Sequence, residues 1–343
     1  MFLFIGLGDA GCRITDSIVG SRGIIQREEK RSGIVVNVSK NFLMSLKNVP
    51  MENRVLLRYE EVEVPEFGRD RGRVVAEDQI DFVMDAIERV YTSRIQAFMM
   101  VFGLGGSFGG GAAPVLAESL RRMYGEEVPV YLLGVIPSKN EPDNLFSNAS
   151  STLRELSRYV DSGILVDNDF FLERGLGRTS FNEINEMIAK PIRMITVDDG
   201  GKEGEYSLKS AEVITVLSEG GIGTIGYYER EIKRKSGLLS VLSKKRKGLI
   251  EEGKVDLGSI VEETLRNNLY LDCDPTSASK AILVVAGPPE ELRFFEGQRM
   301  LKELLGCDVV GGLRAAPRWN KVGVTILLND VESRRVREIM EGR

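Results

Sequence analysis

Short runs of apolar residues recur through the first half of the chain: Phe2 to Ile5, Ile34 to Val36, Val55 to Leu57, Phe98 to Phe102, Val130 to Val135 and Ile164 to Val166. They are apolar at consecutive positions, the pattern of strands covered on both faces. Most are separated by segments with apolar residues three and four apart, namely Gly11 to Val19, Val74 to Val90, Ala112 to Met123 and Leu145 to Tyr159. That spacing predicts helices. Alternating strands and helices build an α/β fold, a doubly wound and mostly parallel sheet. Ligands of such sheets lie beyond the carboxyl ends of the strands, so chemistry is expected in the loops that follow them.

A long helical stretch from about Phe181 to Met194 ends this texture. Beyond it, SAEVITVLSEG reads as a helix and IGTIGYYE as a strand. A helix near Val261 to Leu269, the strand AILVVAG, a helix ending near Leu305 and strand-like runs at Val309 to Gly312 and Val322 to Leu328 follow. The order predicts a nucleotide-binding domain over 1–200, including the central helix, and a smaller mixed α/β domain over 201–343. With 343 residues, 42% of them hydrophobic, the chain can bury a core in each.

Composition then narrows the chemistry. The chain has no histidine, which removes imidazole bases, the usual nitrogen ligand of zinc and the triads built on imidazole. Cys12, Cys273 and Cys307 are far apart and form no CxxC pair, so neither a metal cluster nor a disulfide framework is suggested. A net charge of −5 gives no general attraction to nucleic acid. The opening MFLFIGLG lacks the basic lead-in of a signal peptide, and no apolar run approaches the ~20 residues that span a bilayer. A cytoplasmic protein is expected.

Two glycine loops stand where ligands are expected. The first strand runs into Gly6, Gly8 and Gly11, a GxGxxG pattern opening a helix. Such a loop lets amides approach a phosphate, and the helix start adds partial positive charge. A Rossmann site would want an acidic residue at the end of the next strand, but Asn37 stands there. No P-loop motif occurs. The second loop, GLGGSFGGGAAP from Gly103 to Pro114, holds six glycines after a buried strand and opens another helix. Tight turns and helix packing would need fewer. Two cradles on one sheet imply a polyphosphate.

GLGGSFGGGAAPVLAESL resembles the signature loop of the tubulin/FtsZ superfamily, and GLGDAGCRI resembles its first loop. NVSKNFLMSL, DNLFSNAS, FNEINEMI, LSEGGIGTIGY and AGPPE extend the match along nearly the whole chain. The last two, with GLLSVL, make it most similar to the archaeal tubulin-like CetZ family. The resemblance implies a guanine-nucleotide-binding cytoskeletal protein that assembles head to tail into filaments, with a role in cell shape or division. Related tubulin-like proteins are implied as further partners. Asp9, Ala10, Gly11, Cys12 and Arg13, with Gly105, Gly106, Ser107, Phe108, Gly109, Gly110 and Gly111, would surround the phosphates of GTP or GDP through backbone amides, with magnesium accompanying them. Glu141 would accept from the ribose hydroxyls. Asn168 and Asn185 would read the base edge, and Phe181, one turn before Asn185 on the same helical face, would stack on the purine.

Three positions depart from the family pattern. Asp9 replaces a glutamine, Phe108 replaces a threonine hydroxyl, and Lys209 stands where the loop after the central helix should offer a carboxylate to the next subunit's nucleotide. Glu212 of that loop is retained. Hydrolysis is therefore expected to be weak or absent, leaving a nucleotide-binding filament protein or a structural paralogue that modulates a related filament. Separately, the basic segment from Tyr228 to Lys254, with its cations concentrated in 233–247, reads as a solvated loop, a lateral filament contact or a membrane-surface contact.

Overall fold

Six strands that follow one another in parallel form the first part of the sheet, all but the short third one buried along most of their length because both faces carry helices. The computed structural model describes residues 1–20, 31–59, 68–176, 181–196, 208–232 and 255–342. In chain order the elements are β1 (Phe2–Leu7), α1 (Gly8–Val19), β2 (Ser32–Asn37), α2 (Lys40–Ser45), β3 (Arg54–Leu56), α3 (Arg69–Val90), β4 (Ala97–Gly103), α4 (Ser107–Tyr124), β5 (Val130–Ile136), α5 (Asp143–Leu156), β6 (Ser162–Asp167), α6 (Asn168–Leu172), α7 (Asn182–Ile195), α8 (Ser210–Leu217), β7 (Ile222–Glu231), α9 (Leu257–Asn267), β8 (Lys280–Gly287), α10 (Phe294–Leu305), β9 (Asp308–Ala315), β10 (Lys321–Asn329) and α11 (Arg334–Glu341).

The sheet runs in the order β3-β2-β1-β4-β5-β6-β7-β10-β8-β9. Pairing is parallel from β3 to β7, antiparallel where β10 joins β7 and β8, and parallel again between β8 and β9. The expected doubly wound, mostly parallel α/β sheet is present. From β1 the chain first adds β2 and β3 on one side, then returns to place β4 on the other. The carboxyl ends of β1 and β4 therefore flank the switch point, where such sheets open a crevice.

Successive side chains of β1 alternate between two cores, as strand geometry requires. Leu3, Ile5 and Leu7 join a cluster with α3 and α4, whereas Phe2 and Phe4 join one with α1 and α7. Ile184, Ile188 and Ile192 of α7 share that second cluster with Ile282 and Val284 of β8, so the central helix packs on both halves of the sheet. A third cluster lies between α9, α10 and strands β8 and β10. Helices α2, α6 and α11 were not legible as periodic segments, being five to eight residues long. The basic tract 233–247 lies outside the described residues.

Candidate functional site

Because β1 and β4 are neighbours, the starts of α1 and α4 meet. A Cβ built on Gly8 would stand 3.4 Å from the Gly109 nitrogen, and Gly8 has a φ of 69° that a side chain would disfavour. The first-turn amides of a helix have no partner within it. In α1 these belong to Gly8, Asp9 and Ala10, and in α4 to Ser107, Phe108 and Gly109. Neither helix has a side-chain N-cap. Asp9, Ala10, Gly106 and Ser107 are exposed there, so two uncapped helix starts face one opening, an arrangement suited to anionic oxygen.

Several side chains of the expected phosphate loops point away from the opening. Cys12 is fully buried, its thiol donating to the Val36 carbonyl at 3.3 Å, and burial pushes its ionisation far above the ordinary range. Gly11 is present because α1 crosses β4 closely: a Cβ would lie 1.9 Å from the Val101 carbonyl oxygen. The Arg13 guanidinium stacks 4.7 Å from the Phe42 ring centroid.

In the second loop the Gly110 amide donates to Gly106 at 2.9 Å, and its carbonyl accepts from Arg69 and Thr152, each at 3.1 Å. A Cβ on Gly111 would lie 2.2 Å from the Arg69 carbonyl oxygen. Gly110 and Gly111 thus serve the packing of α4 on α3, and the second cradle is narrower than seven consecutive amides.

Phe108 is buried in the core formed with α3 and α4. A Cβ on Gly72 of α3 would come within 2.6 Å of the Phe108 Cα. Its ring is a packing group, while the neighbouring exposed Ser107 still carries a hydroxyl at the helix start. Gly105 is fastened from α5, since Asn148 Nδ2 donates to its carbonyl at 3.0 Å.

Asp9 is held by a residue that sequence reasoning had used only to disfavour a Rossmann site. Asn37 Nδ2, at the end of β2, donates to Asp9 Oδ1 at 2.8 Å. Strand-end position was the signal that could have paired them.

Glu141 and Asn168 come together at the carboxyl ends of β5 and β6. Burial pushes the Glu141 carboxyl above its ordinary value, nearby Asp169 and Asp167 add to this, and hydrogen bonds from Ser138 and from the Asn168 side chain work against it. Phe181 is 53% exposed, so it is no core aromatic, and its carbonyl accepts from the Asn185 amide at 2.9 Å. Asn185 itself is buried on α7.

Lys209 and Glu212 stand apart from all of these. Tyr131, near the start of β5, donates to the Ile214 carbonyl of α8, and Ser162 at the start of β6 donates to Gly221 just after α8. Helix α8 therefore lies at the amino-terminal edge of the parallel strands, opposite the glycine loops. Glu212 Oε2 accepts from the Lys209 backbone amide at 2.7 Å, capping its own helix.

Comparison with known proteins identifies the family of both halves of the chain. Residues 2–174 match the tubulin/FtsZ family GTPase domain, and residues 177–342 match the tubulin-like CetZ C-terminal domain. The tubulin-like protein CetZ1 of Haloferax volcanii is 33% identical over 98% of this chain and 90% of its own length. A CetZ of Pyrococcus horikoshii is 28% identical over 98% of this chain and 88% of its own. The solved GDP-bound monomer of H. volcanii CetZ1 superposes with a TM-score of 0.81 at 31% identity, covering 99% of this chain and 98% of that one. The GTPγS-bound protofilament of H. volcanii CetZ2 does so with 0.78 at 28%, covering 99% and 96%. With its two glycine-loop helix starts, its central helix and its mixed sheet, the chain belongs to the tubulin-like CetZ family of the tubulin/FtsZ superfamily.

Proposed function

We propose that the protein binds GTP or GDP at the carboxyl edge of its sheet and assembles head to tail through that nucleotide. The observation that carries this reading is that α8 lies at the edge of the sheet opposite the two glycine-loop helix starts. Phosphate amides would come from Gly8, Asp9 and Ala10 and from Ser107, Phe108 and Gly109. Glu141 and Asn168 would hold the ribose and base, with Asn185 reading the base edge and Phe181 stacking on it. All of these fall within 1–200, the proposed nucleotide-binding unit. Lys209 and Glu212, at the start of α8 on the far edge, can face phosphates only on another copy. Such a contact uses two different surfaces and does not close, so it propagates as a filament.

Hydrolysis on this reading is slow. A carboxylate that would orient water is replaced by Lys209, and the remaining Glu212 carboxylate is engaged at its own helix start. Lys209 instead adds attraction toward phosphate or Asp9 across the contact. Magnesium on the phosphates would offset the Asp9 charge. A lasting filament in cell shape or division follows, or modulation of a faster relative's filament. The test is direct: protein purified without added nucleotide is denatured and its released ligand identified by chromatography. Guanine nucleotide is expected, and adenine nucleotide or a dinucleotide would overturn the reading.

A further inference from the structure

Helix α11 comes last among the described elements, yet one of its side chains reaches the nucleoside end of the site. Arg335 is 7% exposed. Its Nε donates to Asp167 Oδ2 at 3.0 Å, its Nη2 donates to the Pro137 carbonyl at 2.9 Å and lies 3.7 Å from Asp169 Oδ2. The guanidinium sits 5.0 Å from the Phe146 ring centroid. Asp167 and Asp169 flank Asn168, and Pro137 opens the loop that carries Glu141.

The contacts continue inward. Asp169 Oδ1 accepts from Ser138 Oγ at 2.5 Å and from the Lys139 amide at 3.2 Å, and the Asp169 amide donates to Asp167 Oδ1 at 3.0 Å. Ser138 in turn accepts the Glu141 amide at 2.8 Å through its carbonyl. One planar, forked cation therefore holds both segments, a geometry that lysine cannot reproduce. Without it, two buried carboxylates a residue apart would face each other uncompensated. Arg335 is not needed merely to attach α11: Ser333 Oγ donates to the Asp272 carbonyl at 2.7 Å, Ile339 is buried in the core with α5, and Arg154 hydrogen-bonds the Met340 carbonyl.

We propose that Arg335 is a positioning residue of the nucleoside site, setting where Glu141 and Asn168 stand, so that docking of α11 and guanosine binding are coupled. This rests on the assignment of Glu141 and Asn168 as nucleoside contacts. Coupling of this kind is reciprocal, so nucleotide should also tighten α11.

The experiment measures affinities for GDP and 2′-deoxy-GDP in the unmodified protein and in Arg335→Lys and Arg335→Gln. A ribose hydroxyl bonded to a well-placed carboxylate gives the unmodified protein a preference for GDP of about tenfold. Arg335→Gln should weaken GDP binding about tenfold and bring the preference toward unity, with Arg335→Lys between. General destabilisation would not move that ratio. An unchanged ratio in either folded variant overturns the proposal. Should neither variant fold, hydrogen exchange in the unmodified protein decides: GDP should slow exchange across Arg334–Glu341, and equal exchange would overturn it. Failure of the unmodified protein to bind GDP would instead overturn the proposed function.

Discussion

Asn37 donates its side-chain amide to the Asp9 carboxylate at 2.8 Å, while its own side-chain oxygen accepts from the Ser39 amide at 2.9 Å. The carboxylate is thereby fixed in the first turn of α1, where the helix dipole favours it but a bound phosphate would not. At ~5 Å and an effective dielectric near 20, one phosphate charge and Asp9 repel by about 3 kcal/mol.

Asp9→Gln should therefore strengthen GDP binding at least about tenfold without magnesium, and less with it, because the cation already offsets the charge. Calorimetric titration in the presence and absence of chelator checks this. Unchanged affinity without magnesium would show that Asp9 does not face phosphate.

Glu141 titrates above the ordinary carboxylate value, chiefly through burial. Its charged form is the better acceptor for ribose hydroxyls, so GDP affinity should fall as pH falls, starting above the range in which an exposed glutamate titrates. Glu141→Gln should bind more weakly at neutral pH and lose this dependence. A fluorescence titration of GDP across pH measures both.

Glu229 ties the central helix to the second half of the sheet. Lys190 of α7 and Tyr227 of β7 each contact it at 2.5 Å, and Lys321 of β10 at 2.6 Å. Burial raises its pKa, but hydrogen bonds from these three outweigh it and hold the carboxyl at about 2 against an ordinary 4.5. The depressed value means that the stabilisation is complete above 4.5 and is lost as pH falls toward 2. Glu229→Gln should lower stability at pH 7 by about 1–3 kcal/mol and flatten the acid loss between those limits. Thermal unfolding at several pH values gives the answer.

The sheet was legible because its strands are continuous apolar runs, a signal that depends on burial rather than on turns. The glycine loops were legible as loops, but what each glycine does was not. Gly8 turns the chain, whereas Gly11 and Gly111 let backbones touch, and sequence spacing cannot tell an amide offered to a ligand from one already inside a helix. The side chains of Phe108 and Cys12 were hidden for the same reason: they share a motif with exposed neighbours but face the core. Arg335 could not have been found at all, since its partners Asp167 and Asp169 are separated from it by most of the second half of the chain.

The central claim is that two half-sites on opposite edges meet between copies through a guanine nucleotide. Sedimentation of the unmodified protein over a range of concentrations, with GTP and magnesium and alongside Lys209→Asp, tests it most directly. Above a threshold concentration the unmodified protein should pellet with GTP while releasing phosphate slowly, and Lys209→Asp, which sets a second carboxylate against Asp9, should raise that threshold. A protein that stays monomeric at every concentration with GTP bound, or whose Lys209→Asp variant assembles equally well, would contradict the account.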